Sequence, residues 1–567
     1  MSESDKFDQF PLTHPRTVDW EAEDWQSNLL EQLNAITVNF ATGEIKMEPL
    51  AGHAEPPVDP HEPQRDPASS PPKEDAAGPS SPIKAAATYP PPVALAPTEF
   101  ISDTNASLRE IHVFNLPNQS NIYGLSQVNH EIGSKLLVGC LDLPVFLFEF
   151  MCTNGNMLEP NHVIEPLGQE LALHMVMPKP GCILAVDSFG KTTHRQAYVI
   201  GVCCEDEVDA MPKHNSQIRE HFLQVYSSPR EEPGNIDELD LATLQLPYAP
   251  FHLSHCSIPL HNPKFPDVCE TLFVLTGSDK RVHAIVENRV DQIWTEIAVE
   301  RYFPELKGQF PSVPYWVDFM YLDPCYSRRL TAVGCGCGTL FVHLMDTRES
   351  PPIILHSWKK VVGEGQIVKV QFLSSELYQE RIKVPRDLLE RVRPDINMDM
   401  TEYDFEKFSD VPPVHLLVVN SFSPSKILKD VVRNGVAEEE DLCQSNEFDL
   451  QTSATVLDID LDGRLEFVIG TYGGRLLAYK ENLSTHVWEV LWIRTLGHSI
   501  MAVDHGDMTG DGAQELIVMT RSYVQILQHE PKLLKKLRLK RLKALLKNTQ
   551  HNVVVYEDNQ QLDCSRS

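Results

Sequence analysis

The chain has 567 residues, 42% of them hydrophobic, and a formal net charge of −31. That charge argues against nucleic acid as the main partner, because phosphate binding needs cationic surface. The longest apolar stretch, 143–151, is far too short to span a bilayer, and Met1-Ser-Glu-Ser-Asp leads into no apolar run, so neither a transmembrane segment nor a signal peptide is expected.

Residues 1–50 are acidic. Within them Ala22, Trp25, Leu29, Leu33 and Ile36 recur at helical spacing among Asp19, Glu21, Glu23, Asp24 and Glu31, which predicts a short amphipathic helix. It reads either as a docking peptide or as a helix packed on its own chain, where its two Trp residues would be buried. Residues 51–108 follow as a linker, with proline runs such as Glu55-Pro-Pro57, Ser70-Pro-Pro72 and Tyr89-Pro-Pro-Pro92. Such a stretch can neither pair its backbone nor bury enough apolar surface to offset the entropy of ordering.

From about residue 110 one theme repeats: a leading apolar strand, a loop, then a strand pair joined by a turn. The pairs fall at 135–150, 196–226, 270–286, 329–345, 414–431, 465–479 and 515–527. Their leaders fall at 120–125, 183–187, 251–254, 316–319, 367–370, 455–458 and 501–504. Short β-rich runs with Gly, Asn and Asp at the turns are strand grammar, and repeats that bury their faces only by stacking make propellers. The expected fold is all-β, a seven-bladed β-propeller over 109–530, with an insertion at 376–412. Closure should come from 112–116, or from 553–556 in the tail (549–567), supplying a strand to a blade at the other end of the chain.

The sharpest internal repeat is Asp458-Ile-Asp460-Leu-Asp462-Gly463-Arg-Leu-Glu466, which returns as Asp507-Met-Thr509-Gly-Asp511-Gly512-Ala-Gln-Glu515. Each runs into a strand, Phe467-Val-Ile-Gly470 or Leu516-Ile-Val-Met519. Carboxylates gathered on a small loop, with Gly at the sharp turn, are how hard oxygen ligands are assembled around Ca²⁺. The first loop is a Ca²⁺ candidate through Asp458, Asp460, Asp462 and Glu466. The second, through Asp507, Thr509, Asp511 and Glu515, is weaker for having Thr in place of an acid. Polar turns whose Asp side chains cap their own amides are the preferred reading, since cytosolic Ca²⁺ is scarce and only two blades carry the pattern. No cofactor is therefore expected.

Residues 531–548 switch to helical spacing. Lys532, Lys536, Lys540, Lys543 and Lys547 form a basic stripe opposite leucines, which predicts a basic amphipathic helix opened by Pro531. Leu533, Lys536, Leu537, Lys540, Leu542, Lys543 and Leu546 are its candidate partner-binding residues. The same helix could instead strap onto its own acidic ring.

Catalytic motifs are missing from the sequence: there is no nucleophile elbow, Walker loop, GxGxxG opening a helix, or His-x-x-x-His. Gly334-Cys-Gly-Cys-Gly338 lies between strands and so offers a phosphate no helix N-terminus. The 12 cysteines are scattered and read as small apolar residues of a reduced cytosolic protein. No catalytic or metal site is expected, and the chain reads as non-enzymatic.

Gln119-Ser-Asn-Ile-Tyr-Gly-Leu125, the two acidic loops with Thr471-Tyr-Gly473, and Val524-Gln-Ile-Leu-Gln-His529 together resemble the kaptin family over about 110–548. The acidic loops themselves resemble those of FG-GAP, integrin-like blades. The kaptin resemblance implies a scaffold subunit of the KICSTOR complex, which holds the GATOR complex at the lysosome and restrains TOR signalling when nutrients are low. It implies partners among the other KICSTOR subunits, including a second FG-GAP propeller protein, with GATOR reached indirectly. A cytoplasmic protein peripheral at the lysosomal membrane is expected. The alternative that the resemblance implies is an actin-filament-binding propeller of lamellipodia.

Overall fold

Seven four-stranded antiparallel sheets follow one another along the chain, and a strand that precedes the first of them completes the last. The computed structural model describes residues 108–375 and 411–530, apart from 131–132, 142–144, 153–163, 171–180, 191–197, 209–217, 229–238, 260–268, 289–292, 324–325, 462–463 and 511–512. It also describes Leu534 and two short strands, Ile36–Val38 and Ile45–Met47. Each blade begins with its innermost strand: Ser120–His130, Cys182–Gly190, Pro250–Pro259, Pro314–Tyr321, Ile367–Leu373, Gln451–Leu457 and Ile500–Gly506 for blades 1 to 7. Successive innermost strands touch one another, and that of blade 7 touches that of blade 1, so the ring is closed.

Closure is made in blade 7. Its outer strand is Leu108–Asn115, which pairs antiparallel with Tyr523–His529, Leu108 opposite His529 and Asn115 opposite Tyr523. Of the two closing segments expected, the N-terminal one does the work, and it starts at Leu108. The other, 553–556, lies outside the described residues.

Stacking supplies the core. Seven apolar clusters occupy the seven gaps between adjacent blades. The second strand of each blade is sandwiched on both faces, which is why Leu516-Ile-Val-Met519 and Leu416-Leu-Val-Val419 read as unbroken apolar runs and are buried throughout. Each fully buried aliphatic or aromatic side chain contributes about 1.5–3 kcal/mol. Close approach of the next blade needs glycine at three equivalent second-strand positions, Gly139, Gly334 and Gly470. A Cβ on Gly334 would lie 2.5 Å from Ile367, and one on Gly470 2.7 Å from Ile500.

Leaders and pairs stand where the sequence places them, with one change. In blade 5 the third strand is only Lys426–Leu428, and Val431 opens a helical turn, Val431–Asn434, instead of ending the strand. Blades 1 to 6 each also have a fourth, outer strand that the repeat did not disclose, such as Ile164–Glu170 in blade 1 and Ile353–Val361 in blade 4. Blades 3 and 4 are bridged by two short 3-10 turns, Val299–Arg301 and Pro304–Leu306. Glu305 from the second turn accepts bonds from Arg329 Nη2 (3.0 Å) and Thr331 Oγ1 (2.7 Å), with the Arg329 guanidinium 4.6 Å from the Phe303 ring centre. Both charged side chains are fully buried.

In the separate N-terminal unit, Ile36 does not extend the predicted helix. It opens the strand Ile36–Val38, paired with Ile45–Met47, as the β-branched run Ile36-Thr-Val38 favours. The rest of that helix, the linker and nearly all of the insertion (376–410) lie outside the described residues.

Candidate functional site

The two acidic loops connect the innermost and second strands of blades 6 and 7. Their glutamates hold equivalent places. Phe467 pairs with Tyr479 and Leu516 with Leu527, so one step along Glu466 faces Lys480 and Glu515 faces Gln528. Each carboxylate is fully buried and accepts the backbone N–H at the start of its loop, Ile459 N to Glu466 Oε2 at 2.9 Å and Met508 N to Glu515 Oε2 at 2.7 Å. Leu461 (φ +62°) and Gly510 (φ +70°) make the same left-handed turn. The loop is thus folded back onto its own glutamate, and that is the local reason for an acid at the ninth position.

The partners then diverge. In blade 6 the Lys480 ammonium lies 3.0 Å from Glu466 Oε1 and also contacts Asp460 Oδ2. In blade 7 the Gln528 amide donates to Glu515 Oε1 at 2.8 Å and to Thr509 Oγ1 at 3.2 Å, while Thr509 Oγ1 donates to Glu515 Oε1 at 3.0 Å. Oxygen atoms of Asp458, Asp460 and Glu466 lie within 4.8 Å of one another, an acidic cluster of the size that could hold an ion. Groups of the chain itself already meet these carboxylates, Ile459 N–H and the Lys480 ammonium at Glu466 and the same ammonium at Asp460. Asp462 and Asp511 lie outside the described residues. Burial, against the opposing pull of Lys480, pushes the Glu466 carboxyl up to about 7.

A second polar constellation encircles the axis. All seven innermost strands carry a register shift against the second strand, a β-bulge that turns the strand. Past it, one register position is polar in every blade: Ser126, Asp187, Ser254, Asp318, Gln371, Thr455 and Asp504. Several of these reach the next blade. Ser126 Oγ meets Ser188 Oγ at 3.0 Å, Asp187 meets His255 Nδ1 at 2.8 Å, and Asp318 accepts Phe372 N–H at 2.8 Å. Thr455 Oγ1 meets His505 Nδ1 at 2.7 Å, and Asp504 accepts the Gln127 amide at 2.6 Å.

Above this girdle, the Trp316 ring stacks 3.8 Å from His252, and the Lys369 ammonium lies 4.7 Å from the Trp316 ring centre. Tyr123 crosses from blade 1, its hydroxyl donating to the Tyr315 carbonyl of blade 4 at 3.4 Å. Burial, with help from Lys369, drops His252 to about 3, and burial lowers Lys369 despite Asp504 and Asp318. Burial also raises Asp318 to about 6, with the Phe372 amide opposing. The chemistry is that of a latch, joining inner strands that share no sheet. Sequence reasoning missed it, although the recurrence of one polar residue inside each apolar leader was the available signal.

Of the predicted C-terminal helix, only Leu534 is described. It is buried, and its N–H donates to the Glu530 carbonyl at 3.2 Å. Leu533, Lys536, Leu537, Lys540, Leu542, Lys543 and Leu546 lie outside the described residues. Cys203, Cys204, Cys256 and Cys335 are buried within strands, and burial pushes the Cys204 thiol up to about 12. The outer strand of blade 4 is the most apolar exposed edge described, with Ile353, Ile354, Leu355 and Val361 open to solvent. Among the described residues no helix is long and apolar enough to cross a membrane.

Comparison with known proteins bears on identity. The chain is 29% identical to the KICSTOR complex protein kaptin of Mus musculus over 441 residues, 76% of this chain and 90% of that protein. Among solved structures it is similar to BBS1N in a complex with ARL6DN (TM-score 0.40, 10% identity, 75% of this chain and 98% of that one). It is also similar to Saccharomyces cerevisiae Sqt1 (0.39, 10%, 74% and 99%). Structural likeness at that level carries no argument about this chain. The family model for the KICSTOR complex protein kaptin matches residues 108–539, from the closing strand to past the last blade, and the chain belongs to that family.

Proposed function

We propose that this chain is a non-enzymatic scaffold subunit of a KICSTOR-type complex, which recruits the GATOR complex to lysosomes and restrains TOR signalling when amino acids or glucose are low. Membership of the kaptin family across the whole ring carries the reading. A closed ring with an axis latched by its own side chains suits a rigid platform, and the apolar outer edge of blade 4 offers it surface for a neighbour. Its partners in this reading are the other subunits, including a second FG-GAP propeller protein, and GATOR indirectly. Its place is cytoplasmic, peripheral at the lysosomal membrane. Affinity purification of the tagged chain from fed and starved cells, read by mass spectrometry, tests this. Recovery of the scaffold subunits in both states is expected, and a chain recovered alone in both overturns it.

The basic stripe of Lys532, Lys536, Lys540, Lys543 and Lys547 favours a second reading, binding to acidic actin filaments in lamellipodia. Co-sedimentation with filaments that vanishes on charge reversal of Lys536, Lys540 and Lys543 would support it.

A further inference from the structure

We infer that Lys480 is the built-in cation of the blade 6 loop, its ammonium taking the place that a divalent ion would hold between Asp460 and Glu466. Two observations carry this. Lys480 Nζ lies 3.0 Å from the buried Glu466 carboxylate and contacts Asp460, in a cluster whose oxygen atoms lie within 4.8 Å of one another. The equivalent loop of blade 7 serves as an internal comparison. There Thr509 stands in place of the second acid, and Gln528, at the position of Lys480, donates a hydrogen bond to Glu515. One carboxylate fewer goes with one ammonium fewer, so Asp460, Glu466 and Lys480 together carry the same net charge as Thr509, Glu515 and Gln528.

The match follows from the cost of burying charge. A fully buried carboxylate beside a second acid must either take up a proton or be met by a cation. A flexible lysine from the neighbouring strand meets that need without a metal, whereas the blade 7 loop, with one acid fewer, is satisfied by neutral donors. The blade 6 loop is therefore a latent divalent-cation site that its own lysine keeps closed. This holds whatever partners the ring binds.

Thermal unfolding of the full-length chain, in chelator and in millimolar CaCl₂, tests the inference. The wild type melts at the same temperature in both. Lys480→Ala melts lower in chelator, and Ca²⁺ raises its melting temperature in a concentration-dependent way, since a ligand bound only by the native state must stabilise it. A Ca²⁺-dependent rise in the wild type overturns the inference. So does a Lys480→Ala protein that melts like the wild type in chelator, or one that Ca²⁺ leaves unchanged. Should Lys480→Ala fail to fold, Lys480→Gln with and without Asp460→Thr decides the matter. The double variant copies the blade 7 set and should recover stability lost in Lys480→Gln, and no recovery would sink the charge-matching argument.

Discussion

Asp187 of blade 2 and His255 of blade 3 face each other across the gap between two innermost strands, 2.8 Å from carboxylate to Nδ1. Burial works against the His255 imidazolium, but the adjacent carboxylate outweighs it and raises the imidazole above its ordinary value. A raised folded-state pKa means that the folded protein binds the proton more tightly. The pair's contribution is therefore fully present below the unfolded pKa, about 6.5, and is lost as pH rises through the higher folded value. Asp187→Asn should destabilise the ring more at about pH 6 than at about pH 9, measured by urea unfolding at both. An equal loss at both would mean that the contact works only as a neutral hydrogen bond.

Ring closure depends on apolar contact as well as on backbone pairing. Phe114, on the closing strand, stacks on Phe148 of blade 1 with ring centres 4.5 Å apart, and both are buried. Phe114→Ala should cost about 3–5 kcal/mol, measured by chemical denaturation. Limited proteolysis of the variant should cut first within 108–130.

Arg329 and Glu305 form a fully buried ion pair that ties the bridge between blades 3 and 4 to the second strand of blade 4. Removing one partner leaves an uncompensated buried charge, so Arg329→Met should cost about 3–5 kcal/mol. Glu305→Gln added to Arg329→Met should recover much of that loss. A double-mutant cycle in equilibrium unfolding checks the coupling.

Leu461 adopts a left-handed backbone that its counterpart Gly510 adopts without a side chain. The conformation costs an L-residue about 1–2 kcal/mol, and the entropy of Gly takes back about half of that gain. Leu461→Gly should raise stability by about 0.5–1 kcal/mol. A lowered melting temperature would show that the Leu461 side chain contributes packing that outweighs the strain.

The parts of this fold legible in the sequence are those sandwiched on both faces. Leu416-Leu-Val-Val419 and Leu516-Ile-Val-Met519 must be apolar throughout because a blade lies on either side, so their runs announce strands. Outer strands lack that constraint. Ile164–Glu170 contains Pro166 and Gly168 and is almost wholly exposed, leaving no pattern to read. The roles of Asp318 and Asp187 depend on a bulge and on the next blade, neither of which local periodicity records. The acidic segments read as loops from their Asp and Gly alone, but the meaning of Glu466 rests on Lys480, which only the hairpin register brings opposite. Ile36 misled because its neighbours upstream share a helical period, while Thr37 and Val38 after it favour a strand.

The strand that finishes blade 7 is the first of the ring to be synthesised, and its partner, Tyr523–His529, is the last. Six whole blades emerge between them. Throughout that interval Leu108 and Phe114 have no blade 7 to cover them, and Tyr523–His529 cannot complete a sheet without reaching back to the start of the ring. Closure is thus an event of the finished chain, timed by the arrival of His529, and every nascent intermediate before it carries an open, adhesive edge. Any truncation that removes Leu108–Asn115 leaves the edge at Tyr523–His529 permanently open, so a fragment beginning at blade 1 lacks its clasp even though every residue of its first six blades is intact.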